Sequence, residues 1–304
     1  MSGSLTLSVS SPDEAREPFL RLAARAALVD GQHPFNDQAL VDAGKGTRSL
    51  LLAERGGTVV GAAIVGQGEL EFTIDPEWRE EGLGRQLLEI VLANSAGSGG
   101  AGVSASSDGE QLLAWAHGDH PASRRLAATH RFVAVRTLLQ LRRELPDGPV
   151  GGTPLPDGFR LMPFRGGRDV DDWVRLNARV FAEHPEQGGQ TAEDLGFRMS
   201  EAWFEPDDFL LLRDSAGALV GYNWLKVEPG DRVGEIYVIG VDDAHAGQGL
   251  GRYLMGQGLA RLVERGLEQA SLYVDGENTR AVALYRSLGF TDHTIDIQYR
   301  HRGR

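Results

Sequence analysis

Ile236-Tyr237-Val238-Ile239-Gly240-Val241, followed by Asp242-Asp243-Ala244-His245-Ala246-Gly247-Gln248-Gly249-Leu250-Gly251-Arg252, is the stretch on which the fold turns. An apolar run of strand length gives way to an Asp-containing turn and a glycine cluster. Met255, Leu259, Leu262 and Val263 then recur at helical spacing. Glycine between strand and helix leaves several backbone N–H groups pointing outward with no side chain in the way. Aligned peptide dipoles add roughly half a positive charge at that helix start, which makes a cradle for a pyrophosphate. A plain structural turn would use the same glycines, so the cluster needs support from the rest of the chain.

That support is a duplication. In the first half, Leu70–Ile74 is followed by Arg79-x-x-Gly82-x-Gly84, and Leu87, Leu88 and Val91 continue at helical spacing. Ser49 to Val65 reads as two strands around a Gly-Gly turn, and Asp208 to Leu225 repeats the pattern, with Gly61 matching Gly221. Each half then adds a strand, 112–116 or 270–274, and a helix that ends in Arg131-Phe132 or Gly289-Phe290. Between the halves, residues 145–158 are rich in proline and glycine and lack any apolar period, as a linker does. The expectation is two tandem α/β domains, 1–144 and 159–304, each a mixed sheet flanked by helices.

Composition agrees and excludes several classes. The 304 residues suffice for two cores, and 41% hydrophobic with 24% charged residues is ordinary for a globular protein. No run approaches the ~20 apolar residues of a membrane span. The serine-rich start lacks the basic and apolar parts of a secretory signal, so a cytoplasmic location is expected. A net charge of −12 with no basic face argues against nucleic acid or an anionic membrane as partner, and a monomer is expected. The absence of cysteine excludes disulfides, thiolate zinc sites and a cysteine nucleophile, and no metal is expected. A dinucleotide-binding unit is the main competitor for the glycines. Its fingerprint needs G-x-G-x-x-G directly after the strand, whereas here the third glycine comes one residue early and Asp242 to Ala246 intervene.

Gly247-Gln248-Gly249-Leu250-Gly251 and its partner around Gly82 and Gly84 resemble the phosphate-binding motif of the GCN5-related N-acetyltransferases, Gln/Arg-x-x-Gly-x-Gly/Ala. Asn278-Thr279-Arg280-Ala281-Val282-Ala283-Leu284-Tyr285-Arg286-Ser287-Leu288-Gly289-Phe290 resembles the later helix of the same family. The resemblance implies acetyl-CoA as co-substrate. It places that molecule on Ile239, Gly240, Val241, Ala246 to Arg252 and Asn278 to Ala283, and in the first half on Phe72, Thr73, Ile74, Glu80, Glu81, Gly82, Leu83, Gly84 and Arg85. The Val241 N–H would face the acetyl carbonyl. One departure is Ala246 where the family has Gln or Arg, which leaves Arg252 and the backbone N–H groups to hold the phosphates.

Direct transfer of an acetyl group to an amine needs a base for the amine and an acid for the leaving thiolate. Glu235, at the start of the apolar strand, has the chemistry of the base; a solvated strand-end carboxylate would look the same. The resemblance makes Tyr285 the acid, and its other reading is a core tyrosine with its hydroxyl at the rim. Asn278 either orients the co-substrate's amides or simply caps a helix. The tandem layout, His184-Pro185-Glu186-Gln187-Gly188-Gly189, Glu201-Ala202-Trp203-Phe204 and Gly234 to Val238 resemble the branch of the family that acetylates the cysteinyl amine of cysteinyl-glucosaminyl-inositol, a thiol-bearing pseudo-disaccharide. By that resemblance Asp37, Glu186, Lys226, Glu235 and Tyr273 bind the acceptor. The rival functions are acetylation of another amine, such as an aminoglycoside or a protein N-terminus, and a non-catalytic CoA-ligand sensor. The first half is expected to hold acetyl-CoA without catalysing, because Ala127 stands opposite Tyr285, His120 opposite Asn278 and, counting back from Gly82, Gly68 opposite Glu235. Glu69 lies one residue away, and a strand bulge would bring it into register.

Overall fold

A computed structural model of the protein describes residues 5–9, 12–95, 112–148, 153–183 and 185–303. The first half runs β1 (Thr6–Val9), α1 (Pro12–Asp30), α2 (Asp37–Lys45), β2 (Ser49–Arg55), β3 (Thr58–Gly66), β4 (Glu69–Ile74), α3 (Leu83–Ser95), β5 (Leu113–Ala116), α4 (Pro121–Thr129) and β6 (Phe132–Glu144). The second half repeats the order with one further short helix, α6, as β7 (Arg160–Pro163), α5 (Arg168–Val180), α6 (Pro185–Gly188), α7 (Ala192–Met199), β8 (Phe209–Arg213), β9 (Leu219–Lys226), β10 (Val233–Val241), α8 (Leu250–Glu264), β11 (Gln269–Asp275), α9 (Thr279–Ser287) and β12 (Thr291–His301).

These elements cluster into two compact units. Unit 1 is Met1–Leu139 with Asp275–Glu277 and Thr294–Arg304; unit 2 is Gln140–Val274 with Asn278–His293. Packing therefore groups the residues differently from the sequence repeats 1–144 and 159–304. The end of the chain lies in unit 1, where Ile297–Arg300 of β12 pairs antiparallel with β5. Residues 140–144 of β6 fall in unit 2, beside β11. Residues 149–152 of the Pro/Gly-rich stretch lie outside the described residues.

Unit 1 runs antiparallel through β1, β2, β3 and β4 and then parallel from β4 to β5. Both faces of this sheet are covered. Leu52, Ala62 and Ile64 pack with Phe19, Leu22, Phe35 and Ala39 of the α1 and α2 side, while Leu51, Ala63 and Leu70 pack with Leu87, Leu88 and Val91 of α3. That two-sided burial is why β3 reads as an unbroken apolar run rather than an alternation.

Unit 2 pairs β7, β8, β9 and β10 antiparallel and β10 with β11 in parallel. One core is aromatic, with Trp173 of α5 at right angles to Phe209 and Trp224, whose own rings stack 4.5 Å apart. On the other side α8 buries Leu250, Leu254, Met255, Leu259 and Leu262, a helical period. The helix lies so close that a Cβ at Gly258 would sit 2.3 Å from the Asn223 amide nitrogen. Only glycine fits there.

Candidate active site

Strands β10 and β11 pair over Val233–Ile236 with Gln269–Leu272 and then share no further ladder, although β10 continues to Val241 and β11 to Asp275. On its other side β10 stays paired with β9, with a register shift: Ile236 opposes Leu225 and Val238 opposes Trp224, so Tyr237 is an inserted bulge residue. Glu235 lies just before this break and faces Lys226 across the ladder. Glu235, Tyr237 and Ile239 are half-buried, whereas Gly234, Ile236, Val238 and Gly240 are buried against the core.

Past Val241 the chain forms a 3-10 turn, Asp243–His245, capped by Asp242, which also accepts from Arg179 at 2.7 Å. Gly247 and Gly249 have φ of 79° and 78°, the left-handed region that side chains rarely adopt. Gly249 is the N-cap of α8 and provides no side-chain hydrogen bond to the first turn. A Cβ at Gly247 or Gly249 would meet nothing within 4 Å, and one at Gly251 would reach Leu284 at 3.8 Å. Uncapped N–H groups with open space before them are what a pyrophosphate needs, so the cradle fits the expected acetyl-CoA. Arg252 donates to the Ser287 hydroxyl at 2.8 Å, and Ala246 contributes only backbone.

Tyr285 is buried on α9, with the Phe290 ring 6.2 Å away edge-on. Burial pushes its phenol up to about 12, so it keeps its proton at neutral pH, as an acid must. Asn278 caps α9, its side chain accepting from the Ala281 N–H at 3.1 Å, and Thr279 to Ala283 form the first turns. Tyr273 is exposed and its hydroxyl accepts from Gln140 at 2.9 Å. The Lys226 ammonium lies 3.4 Å from Glu228 and 5.5 Å and 5.8 Å from the rings of Trp203 and Tyr237. Glu186 is on α6, with its side chain outside the described residues. Asp37 is the exposed first residue of α2, in unit 1. Unit 2 thus contains Glu235, Lys226, Tyr273, Tyr285 and the cradle.

Two polar residues here escaped the sequence reading. Arg198 of α7 donates to the Tyr237 hydroxyl. Asn177 of α5, fully buried, accepts from Tyr222 at 2.7 Å and donates to the Gln187 carbonyl at 2.6 Å. The one available signal for Asn177 was an amide on the apolar face of a helix.

Unit 1 has the same frame with other side chains. Ile74, Thr73 and Phe72 oppose Gly61, Ala62 and Ala63 as Val241, Gly240 and Ile239 oppose Gly221, Tyr222 and Asn223. Further along, Glu69 opposes Gly66 as Glu235 opposes Lys226. The structural counterpart of Glu235 is therefore Glu69, not Gly68, because β10 carries the extra Tyr237 while the β4 register is unbroken. Glu69 accepts at 3.1 Å from Arg48, which is 2% exposed. Ala127 of α4 is buried in the position of Tyr285. Arg79, the motif residue of this cradle, holds Asp30 in a two-pronged pair at 2.6 Å and 2.8 Å and donates to the Ile74 carbonyl. Glu80, with φ of 65°, and Glu81, paired with Arg55, stand where unit 2 has Gly247 and Gln248. Leu83, Gly84 and Arg85 open α3 as Leu250, Gly251 and Arg252 open α8.

On β4, the fully buried Glu71 accepts from the Asn36 N–H and amide at 2.8 Å and 2.7 Å and lies 3.1 Å from His117, which is 2.9 Å from Asp296. Burial opposes charge on His117, but hydrogen bonds to Asp296 and Glu71 outweigh it and push the imidazole up to about 9.

The Acetyltransferase (GNAT) family model matches residues 173–290. A mycothiol acetyltransferase of Clavibacter sepedonicus is 45% identical over 300 residues, covering 95% of this chain and 93% of that protein. One from Thermobispora bispora is 45% identical, covering 94% and 95%. Among solved structures, a GCN5-related N-acetyltransferase from Sphaerobacter thermophilus superposes with a TM-score of 0.71 at 21% identity, covering 99% of this chain and 97% of that one. A tandem GNAT protein from the clavulanic acid biosynthesis pathway gives 0.73 at 17% identity and 98% of both chains. No helix among the described residues is long and apolar enough to cross a membrane.

Proposed function

Because this chain belongs to the mycothiol acetyltransferase family, within the GNAT acetyltransferases, we propose that it acetylates the cysteinyl amine of cysteinyl-glucosaminyl-inositol and does so in unit 2. The observation that carries the reading is the opening of β10 from β11 beyond Ile236, with Glu235 before it and an uncapped glycine cradle after it. Acetyl-CoA supplies the acetyl thioester. Gly247 to Gly251 and Arg252 hold its phosphates, Ile239 to Val241 offer main-chain groups to its arm, and Asn278 to Ala283 flank it.

Glu235 takes the proton of the acceptor amine, directly or through a water. Tyr285, kept neutral by burial, gives its proton to the departing sulfur. Lys226, Tyr273 and Glu186 bind the acceptor, whose hydroxyls and amine want such donors and carboxylates. Unit 1 serves as a non-catalytic partner whose cradle takes acetyl-CoA. The enzyme works in the cytoplasm as a monomer, with no nucleic acid or membrane partner.

The test is turnover of purified protein with acetyl-CoA and a panel of amines: cysteinyl-glucosaminyl-inositol, an aminoglycoside and a peptide N-terminus. The expected result is a kcat/KM for the first that exceeds the others by on the order of 100-fold, the scale on which paired polar groups discriminate. Preference for another amine overturns the substrate, and acetyl-CoA binding without any turnover overturns catalysis.

A further inference from the structure

The bulge at Tyr237 has a partner. Its hydroxyl accepts from Arg198, whose guanidinium carbon also lies 5.6 Å from the Tyr237 ring. The ring itself packs edge-on against Trp203 and Trp224 at 5.3 Å and 5.4 Å, so its place is set on several sides. The same guanidinium donates through Nε to the Gln190 side chain at 3.4 Å. Gln190 closes the segment that begins with α6 and carries Glu186, and Asn177 pins that segment from the other end at Gln187. A planar guanidinium holds two acceptors in fixed directions, which an ammonium does not.

We infer that Arg198 is a positioning residue that ties the bulge beside Glu235 to the acceptor segment, so that base and acceptor are held in one register. This rests on the proposed roles of Glu235 and of the segment with Glu186. Neither Arg198 nor Tyr237 donates or takes a proton in the reaction. A bulge re-aims the side chains next to it, and a displacement of about 1 Å in a reacting group costs on the order of 100-fold in rate. The two arms of Arg198 therefore act on different kinetic quantities. The arm to Tyr237 sets how Glu235 meets the amine, and the arm to Gln190 sets how firmly the acceptor is held.

The experiment uses the full chain, the amine of the panel that turns over fastest, and steady-state kinetics in both substrates. Tyr237→Phe, which removes only the hydroxyl, lowers kcat about 10-fold and leaves the acceptor KM unchanged. Gln190→Ala raises the acceptor KM about 5-fold and leaves kcat unchanged. Arg198→Met does both, Arg198→Lys recovers part of each, and the KM for acetyl-CoA stays the same in all four. In a Glu235→Gln background Tyr237→Phe has less than about a 2-fold effect, since the base it aims is gone. A uniform fall in all parameters together with a lower Tm, or effects that multiply with Glu235→Gln, overturns the inference and leaves Arg198 a packing residue. Glu235→Gln alone separates the two readings: full activity there removes Glu235 as base and the premise of this inference with it, whereas lost activity there without the split between Tyr237→Phe and Gln190→Ala overturns the inference about Arg198 alone.

Discussion

Units 1 and 2 share strand order, hairpin register and a glycine-started helix, and they differ where the proposed acetyl transfer needs a specific atom. Unit 2 has a one-residue bulge in β10, a buried tyrosine on α9 and Gly247-Gln248 in its cradle. Unit 1 has an unbroken β4, Ala127 for the tyrosine, and Glu80-Glu81 in the cradle. Its carboxylate survives as Glu69 but is bound to a buried guanidinium, and Glu71, His117 and Asp296 form an ionic cluster with no counterpart in the acceptor chemistry. On the proposed assignment, a duplicated frame keeps its packing while a few substitutions remove the chemistry. Pairing holds the frame, and the frame does not depend on what those side chains do.

The sharpest way to break this contrast is to fill each cradle. Gly249→Val forces a branched side chain into left-handed backbone at the helix start, and turnover should fall more than about 100-fold, read from steady-state rates at saturating amine. Gly82→Val imposes the same strain in unit 1 and should leave turnover within about 3-fold while abolishing any acetyl-CoA bound there, measured by calorimetry. The reverse pattern would move the active site to unit 1.

Tyr285→Phe comes next. Its expected loss is on the order of 10- to 100-fold in kcat with acetyl-CoA affinity retained, because a leaving-group acid acts in the transition state. Since burial pushes Tyr285 up to about 12, the wild-type rate should show no basic limb from this group below about pH 11. A tyrosine limb near pH 10, or equal losses of affinity and rate, would make Tyr285 a binding residue.

The smallest effect concerns unit 1 and sharpens the contrast through stability. His117 has a folded value of about 9, above its ordinary 6.5, so its contribution is complete below about 6.5 and fades as pH rises through about 9. Over that window Tm should decline in the wild type and decline less in His117→Gln. Identical pH dependence in both would remove the imidazolium from the stability of unit 1.

Much of this was legible in the sequence for physical reasons. Gly247 and Gly249 advertise a left-handed turn because few other residues adopt it, and Met255, Leu259 and Leu262 mark the buried face of α8 by period alone. The bulge was not legible: Tyr237 sits in an apolar run whose alternation reads the same with or without an extra residue, which is why Gly68 rather than Glu69 fell opposite Glu235. The placement of β12 in unit 1 from Thr294 onward is a long-range pairing choice, and a strand's own residues carry no local mark of which distant strand it will take as partner. Arg198 was invisible because Tyr237 is 39 residues away along the chain.

In the proposed reaction the proton of the amine leaves through unit 2. The most direct measurement is the pH–rate profile of Glu235→Gln beside that of Glu69→Gln, in the intact chain with acetyl-CoA and the preferred amine. Glu235→Gln is expected to be slower by about 100-fold or more at neutral pH, with the deficit shrinking as pH approaches the amine's own pKa, and Glu69→Gln is expected to follow the wild-type curve. A wild-type profile for Glu235→Gln, with the deficit appearing in Glu69→Gln instead, would contradict it.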